Sequence, residues 1–216
     1  MFNKNIGAEL GVNYLIGGEI ISNSDTSKTT SPFLNGNSSN ENKASAKMLQ
    51  FRPSIIVSAG MQTINPYAKF GLLIGSGSIT SNSDRVSTST TSFGGTNNVT
   101  NTTKDSSFKF DGGFAFGFQA ALGLSYNVDK NISISGELNI VNMSYAPTKR
   151  TLTSLNENGV DVLQSRPISE KEVEFVDSIN VNSTDAPALP TNPRKELKQY
   201  ATFGSFGLNF GVKYSL

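Results

Sequence analysis

Three features of this 216-residue chain predict an all-β fold, an antiparallel up-and-down barrel whose strands cross a membrane. The first is the stretch Tyr200 to Leu216, where every second residue is Tyr200, Thr202, Gly204, Phe206, Leu208, Phe210, Val212, Tyr214 and Leu216. The residues between them are small or polar apart from Phe203, so the stretch is a strand with one greasy and one wet face. It exceeds the roughly 9 to 11 residues with which a tilted strand crosses a bilayer. The second feature is that this alternation recurs five more times. The third is that the connections between the repeats run long, short, long, short, long, the asymmetry of a membrane meander with short turns on the periplasmic side and long loops outside.

In chain order, Ile6, Ala8, Leu10, Val12, Tyr14 and Ile16 make the apolar face of the first strand. Residues 22–46 carry turn formers without a period and read as a solvated loop. Leu49, Phe51, Pro53, Ile55 and Val57 mark the second strand, and Pro53, lacking an N–H, predicts a bulge or locally broken pairing. After a short connection come Pro66, Ala68, Phe70, Leu72 and Ile74. Residues 80–106 form a second loop, in which 18 of the 27 positions are Ser, Thr or Asn. The fourth strand aligns Phe108, Phe110, Phe114, Phe116, Phe118, Leu122 and Leu124 on one face, and a tight turn at residues 127–131 returns through Ile132, Ile134, Leu138 and Ile140. Beyond Ile140 the apolar phase flips to Val141, Met143 and Tyr145, which predicts a second bulge. Residues 147–196 are the longest excursion, with a hairpin signal at Asn158-Gly159 and a possible partner strand at residues 173–181.

Six strands are visible, and closed bacterial barrels start at eight. The opening Phe2-Asn3-Lys4-Asn5-Ile6 matches the turn that precedes Ile132, so an eight-stranded parent is expected, with a first hairpin and a signal peptide preceding Met1. One domain accounts for the length. Eighteen basic and 17 acidic residues give a net charge of +1, which offers no surface for nucleic acid. Cys, His and Trp are absent. Thiolate chemistry, histidine metal ligation and serine-histidine hydrolysis are thereby excluded, and neither a metal, a cofactor nor a catalytic residue is expected. The turn Asn156 to Asp161 has the start of a calcium loop but Ser165 in place of its closing glutamate, so it is taken as a turn.

The terminal strand SFGLNFGVKYSL resembles the signal by which Gram-negative outer-membrane barrels are recognised for insertion, with Leu216 where that signal ends in Phe. Together with NIGAELGVNYLIG, FRPSIIVSAG, NPYAKFGLLIG and GFQAALGLSYNVDKNISISGELN, it resembles the small outer-membrane β-barrel family that includes the OmpA and OmpX types. The resemblance implies residence in the cell outer membrane, contact with lipid and with the barrel assembly machinery through Phe206, Leu208, Phe210, Val212, Tyr214 and Leu216, and surface ligands, if any, met through the loops. It says little about activity, because the fold carries pores, adhesins and anchors alike.

With the greasy face on lipid, the inward face carries Glu9, Arg52, Lys69, Asp111, Glu137 and Lys213, which must pair within a narrow lumen because lone buried ions are costly. The expected interior is a packed polar core, since eight strands leave room only for side chains. A non-enzymatic role in envelope structure or in adhesion through the loops follows. Two other readings remain open: a narrow pore for ions or small solutes, and a soluble lipocalin-like barrel with the phenylalanines turned inward.

Overall fold

The computed structural model describes residues 5–31, 33–93, 96–179 and 189–214. Twelve strands form one sheet: β1 (Ile6–Ile16), β2 (Ile20–Thr30), β3 (Leu34–Ser58), β4 (Ile64–Phe93), β5 (Thr96–Asp111), β6 (Ala115–Asn127), β7 (Ile132–Tyr145), β8 (Lys149–Glu157), β9 (Val160–Asp161), β10 (Glu172–Val176), β11 (Arg194–Leu197) and β12 (Ala201–Tyr214). A single helical turn, α1 (Ile168–Lys171), precedes β10.

The six alternating stretches form the lower wall, in the order β1, β3, β4, β6, β7, β12, joined by five antiparallel ladders. One row across it reads Ala8, Ile55, Phe70, Ala120, Ile140, Phe206, each residue directly opposite the next. Leu10, Phe70, Leu72, Phe118, Leu122, Phe206 and Phe210 are all exposed on this face, whereas Gln50, Ser54 and Gln119 are buried on the other. The phenylalanine rows therefore point outward, opposite to the arrangement of a soluble ligand-binding barrel. So wide an exposed apolar belt is stable only against lipid.

Residues 22–46 and 80–106 are largely strand, which corrects their reading as solvated loops, whereas 147–196 holds the expected hairpin strands β8 and β9 with β10 and β11 among connecting segments. β2 runs on from β1 past Gly17-Gly18 and pairs with the first half of β3, while the second half of β4 pairs with β5. β3 is 25 residues long and β4 30, so each rises well beyond the roughly 9 to 11 that a bilayer needs. Their upper halves are dominated by Ser, Thr and Asn on both faces. Alternation is lost because neither face meets lipid or core, but the register carried up from the spanning part and the high strand propensity of Thr keep the ladder going.

Of four local expectations, those at Pro53, Asn158-Gly159 and residues 173–181 are met and the one after Ile140 is not. At Pro53 the pairing to β4 is interrupted, yet Phe51 opposite Ile74 and Ser54 opposite Gly71 keep one register, so there is no bulge. Nor is there one at Val141, where β7 stays in step with both neighbours. The break lies instead at Gly112-Gly113, both with φ of +74°, a backbone open to glycine at little steric cost. It shifts the phase between β5 and β6, so Phe108 and Phe110 face the inside while Phe116 and Phe118 face outward. The Asn158-Gly159 turn does form, with φ of 53° and 79°, between β8 and β9. Within the 173–181 segment β10 pairs with β8; residues 180 and 181 lie outside the described residues.

The lower sheet is open: among the described residues β1 pairs only with β3 and β12 only with β7. A count of six or eight strands in a closed barrel is therefore not established by these ladders.

Candidate functional site: a two-tiered lumen

The inward phase of the lower wall builds two layers. In the bottom layer Lys69 Nζ lies 2.9 Å from Glu9 Oε1 and 3.2 Å from Glu137 Oε2. The row Tyr67, Gly123, Glu137, Asn209 runs directly across four strands. Gly123 is required there, because a Cβ would come within 2.4 Å of the Tyr67 ring, which lies over it to reach its neighbour. The Tyr67 hydroxyl donates to Glu137 Oε2 at 3.0 Å, and Asn209 Nδ2 donates to Oε1 at 3.0 Å. Glu137 thus has a cation and two neutral donors, which is what lets a carboxylate sit in a narrow lumen.

Above it Arg52 is clasped by amides. Its Nε donates to Gln50 Oε1 at 3.2 Å, its Nη1 to Gln119 Oε1 at 3.2 Å, and its Nη2 also reaches Gln50. Gln119 Nε2 in turn donates to Ser54 Oγ at 2.8 Å. Gln50 Nε2 lies 3.6 Å from Met143 Sδ, three strands away around the wall, so the lumen at this height is one side chain wide.

The upper layer is apolar, where a wholly polar core was expected. Met48, Leu73, Ala115, Val141, Met143 and Tyr145 form one buried cluster, against which Leu15, Ile79 and Phe203 pack. Tyr145 has no exposed surface, and its hydroxyl lies 2.7 Å from the Gly77 carbonyl and 2.8 Å from that of Gly112, tying β7 to the glycine break. A signal for this plug was present in the sequence. Leu15, Leu73, Val141, Met143, Tyr145 and Phe203 are apolar residues in the wet phase of their strands, and they gather in this cluster, whereas Ile56, in the same phase, lies lower beside Lys69.

Of the six inward charges read from the sequence, Glu9, Lys69 and Glu137 meet, and Arg52 sits over them. Asp111 does not belong: the Gly112-Gly113 break moves it out of phase, and it pairs with Lys109 at 3.1 Å above the plug. Lys213 lines the cavity below Glu137 without an ion pair among the described residues. Phe206, Leu208, Phe210, Val212 and Tyr214 all lie on the exposed outer face of β12, and Leu216 is outside the described residues.

A third layer, apolar like the plug, tops the lumen where β8 and β10 meet β5. Leu152, Leu155, Val173 and Phe175 are buried there, Phe110 stacks on Phe175 with centroids 6.3 Å apart, and the Arg150 guanidinium lies 5.4 Å from the Phe108 ring centre.

No match was found among curated proteins or among solved structures. The model of the outer membrane protein beta-barrel domain matches residues 1–164, three quarters of the sequence, which agrees with the lipid-facing belt and the outer-membrane location it indicates; the chain belongs to that family.

Proposed function

We propose that this chain is a non-enzymatic, non-conducting anchor of the outer membrane that holds a tall polar wall beyond the bilayer for envelope structure or surface contact. The observation that carries this reading is the apolar plug of Met48, Leu73, Ala115, Val141, Met143 and Tyr145, which fills the lumen above the charged layer. A water-filled path would need a continuous polar lining, and hydrated ions do not cross a dry layer of thioethers and aliphatic groups. The inward carboxylates already have partners in Lys69, Tyr67 and Asn209, which supports a structural role for them over proton transfer.

The upper halves of β3 and β4, with β2 and β5, face outward from the cell in this reading and offer hydroxyl and amide rows to surface ligands. The aromatic and aliphatic row of β12 is what the barrel assembly machinery would engage. Closure is by two further strands, giving eight. Unpaired strand edges are not tolerated in lipid, and a lumen one side chain wide is the bore of an eight-stranded barrel.

Planar-bilayer recording tests the reading, alongside binding of whole cells to host surfaces with and without residues 24–41. Silence in the bilayer and loss of binding on deletion are expected. A steady open channel abolished by Glu137→Gln would favour the narrow pore instead.

A further inference from the structure

We infer that Met143, with Met48 beside it, is an oxidant-accepting site: hydrogen peroxide converts the thioether to a sulfoxide whose oxygen is received by the Gln50 amide. Such a site goes beyond anchoring and does not depend on whether the lumen conducts. Gln50 is 2% exposed, and its Oε1 accepts from both Nε and Nη2 of Arg52. The Nε2 of the same side chain lies 3.6 Å from Met143 Sδ and 4.0 Å from Met48 Sδ, its partners among the described residues. A thioether is a weak acceptor, so a strong donor is buried short of a full hydrogen bond. An oxygen placed on either sulfur makes good that shortfall.

Position is the second observation. Both sulfurs stand at the floor of the plug, where it meets the polar Arg52 tier, and Gln119, Ser54 and Lys69 continue that tier down to the open cavity. Hydrogen peroxide is near water in size and exchanges hydrogen bonds as water does, so it passes along polar side chains that turn back a hydrated ion. Direct approach from solvent is closed: Met48 is 1% and Met143 3% exposed, against 59% for Met61 in the connection from β3 to β4.

The chemistry needs only the peroxide. A sulfur lone pair attacks one peroxide oxygen, the O–O bond breaks, and the proton on the transferred oxygen goes to the departing hydroxide to give water. Sulfur loses two electrons and the peroxide gains them. Negative charge grows on the departing oxygen, and Gln50 Nε2 is placed to donate to it, which speeds the step. The product is a polar side chain where an apolar one stood, so the dry layer acquires a hydrogen-bonded link to the Arg52 tier. Return to the thioether needs a methionine sulfoxide reductase, and a lumen one side chain wide keeps an enzyme out while the chain is folded.

The test treats the folded chain in detergent micelles with hydrogen peroxide and follows added oxygen at Met48, Met61 and Met143 by peptide mass spectrometry. Met61 is the exposed reference. Met143 is expected to react within about tenfold of the Met61 rate despite its burial. Gln50→Glu keeps an acceptor for Arg52 and removes the donor, and there Met143 should slow by about tenfold with Met61 unchanged. Should that chain give no compact band in cold detergent gels, Gln50→Asn, which withdraws the amide by one methylene, replaces it with the same expectation. Added reductase should restore Met61 and leave Met143 oxidised until urea unfolds the chain. Oxygen at Met61 alone, with Met48 and Met143 reacting only in urea, would overturn the site. Equal Met143 rates in the parent and the amide variants would overturn the part given to Gln50.

Discussion

Lys69 is the residue on which the charged layer turns, because it alone touches both acids. Replacing it with Met leaves Glu137, whose side chain is only 13% exposed, with two neutral donors and no direct ion pair. Breaking one partner out of a largely buried pair costs several kcal/mol, so Lys69→Met should lower stability by about 3 kcal/mol. Glu9 is 42% exposed at the open edge of the sheet, and Glu9→Gln should cost under about 1 kcal/mol. Urea titration in micelles, followed by far-ultraviolet circular dichroism, measures both; similar losses for the two would mean that the layer does not discriminate as its burial implies. The charged layer was half legible in the sequence. Glu9, Lys69 and Glu137 follow from phase alone, since residues on one face of adjacent strands must meet. Asp111 was misassigned because two positive-φ glycines inside an otherwise regular run reverse the phase, and periodicity carries no sign of that. Gly112-Gly113 was itself the available warning.

At the scale of the strand, the spanning halves were readable and the upper halves were not, for one physical reason. Alternation records a difference between two environments, and above the bilayer β2, β3, β4 and β5 have water on both faces. The same contrast predicts where substitution hurts. Leu122→Lys, at mid-height on the outer face of β6, should cost about 2–4 kcal/mol of stability in lipid. Val86→Lys, on the upper half of β4, should cost almost nothing. Unfolding in vesicles separates the two, and comparable effects would move the membrane boundary. The join between β5 and β6 has its own pin: Tyr145→Phe removes the hydroxyl held between Gly77 and Gly112 and should cost about 1–2 kcal/mol, read by the same unfolding assay. Near the top, Glu157 braces β8 against the segment leading to α1. Both its oxygens accept from Arg166 Nη2 at 2.9 Å, and Lys104 Nζ lies 3.2 Å away. The hydrogen bond from Lys104, then the Arg166 charge, hold this carboxyl below its ordinary 4.5. A depressed carboxylate lends stability that is fully present above its unfolded value and fades as pH falls through the folded one. Amide exchange in residues 162–171 should therefore quicken below about pH 4 relative to the spanning strands, and an unchanged ratio would show the brace to be idle.

For the molecule as a whole, the order of layers along the axis decides what crosses it. From below, a solute meets the open cavity, the Lys69 layer, the Arg52 clasp and then the plug, which is the first dry layer on that path. Conductance should therefore respond to the volume of the plug far more than to the charges beneath it. Met48 and Met143 are suited to this test because both side chains are unbranched, lie on strands that face each other, and bracket Gln50. The Met48→Gly/Met143→Gly chain should pass current in a planar bilayer where the parent is silent, while Lys69→Met alone should stay silent despite its lower stability. The glycine pair also removes buried surface, so a stability loss of about 4–8 kcal/mol is expected alongside, and the recording must be made on protein that still migrates as a compact, folded band in cold detergent gels. If folded double variant remains closed, the seal lies elsewhere, and the Phe108, Phe110 and Phe175 group above is the next layer to open. Current through the Lys69→Met chain would instead place the barrier in the ion pairs and revive the pore reading.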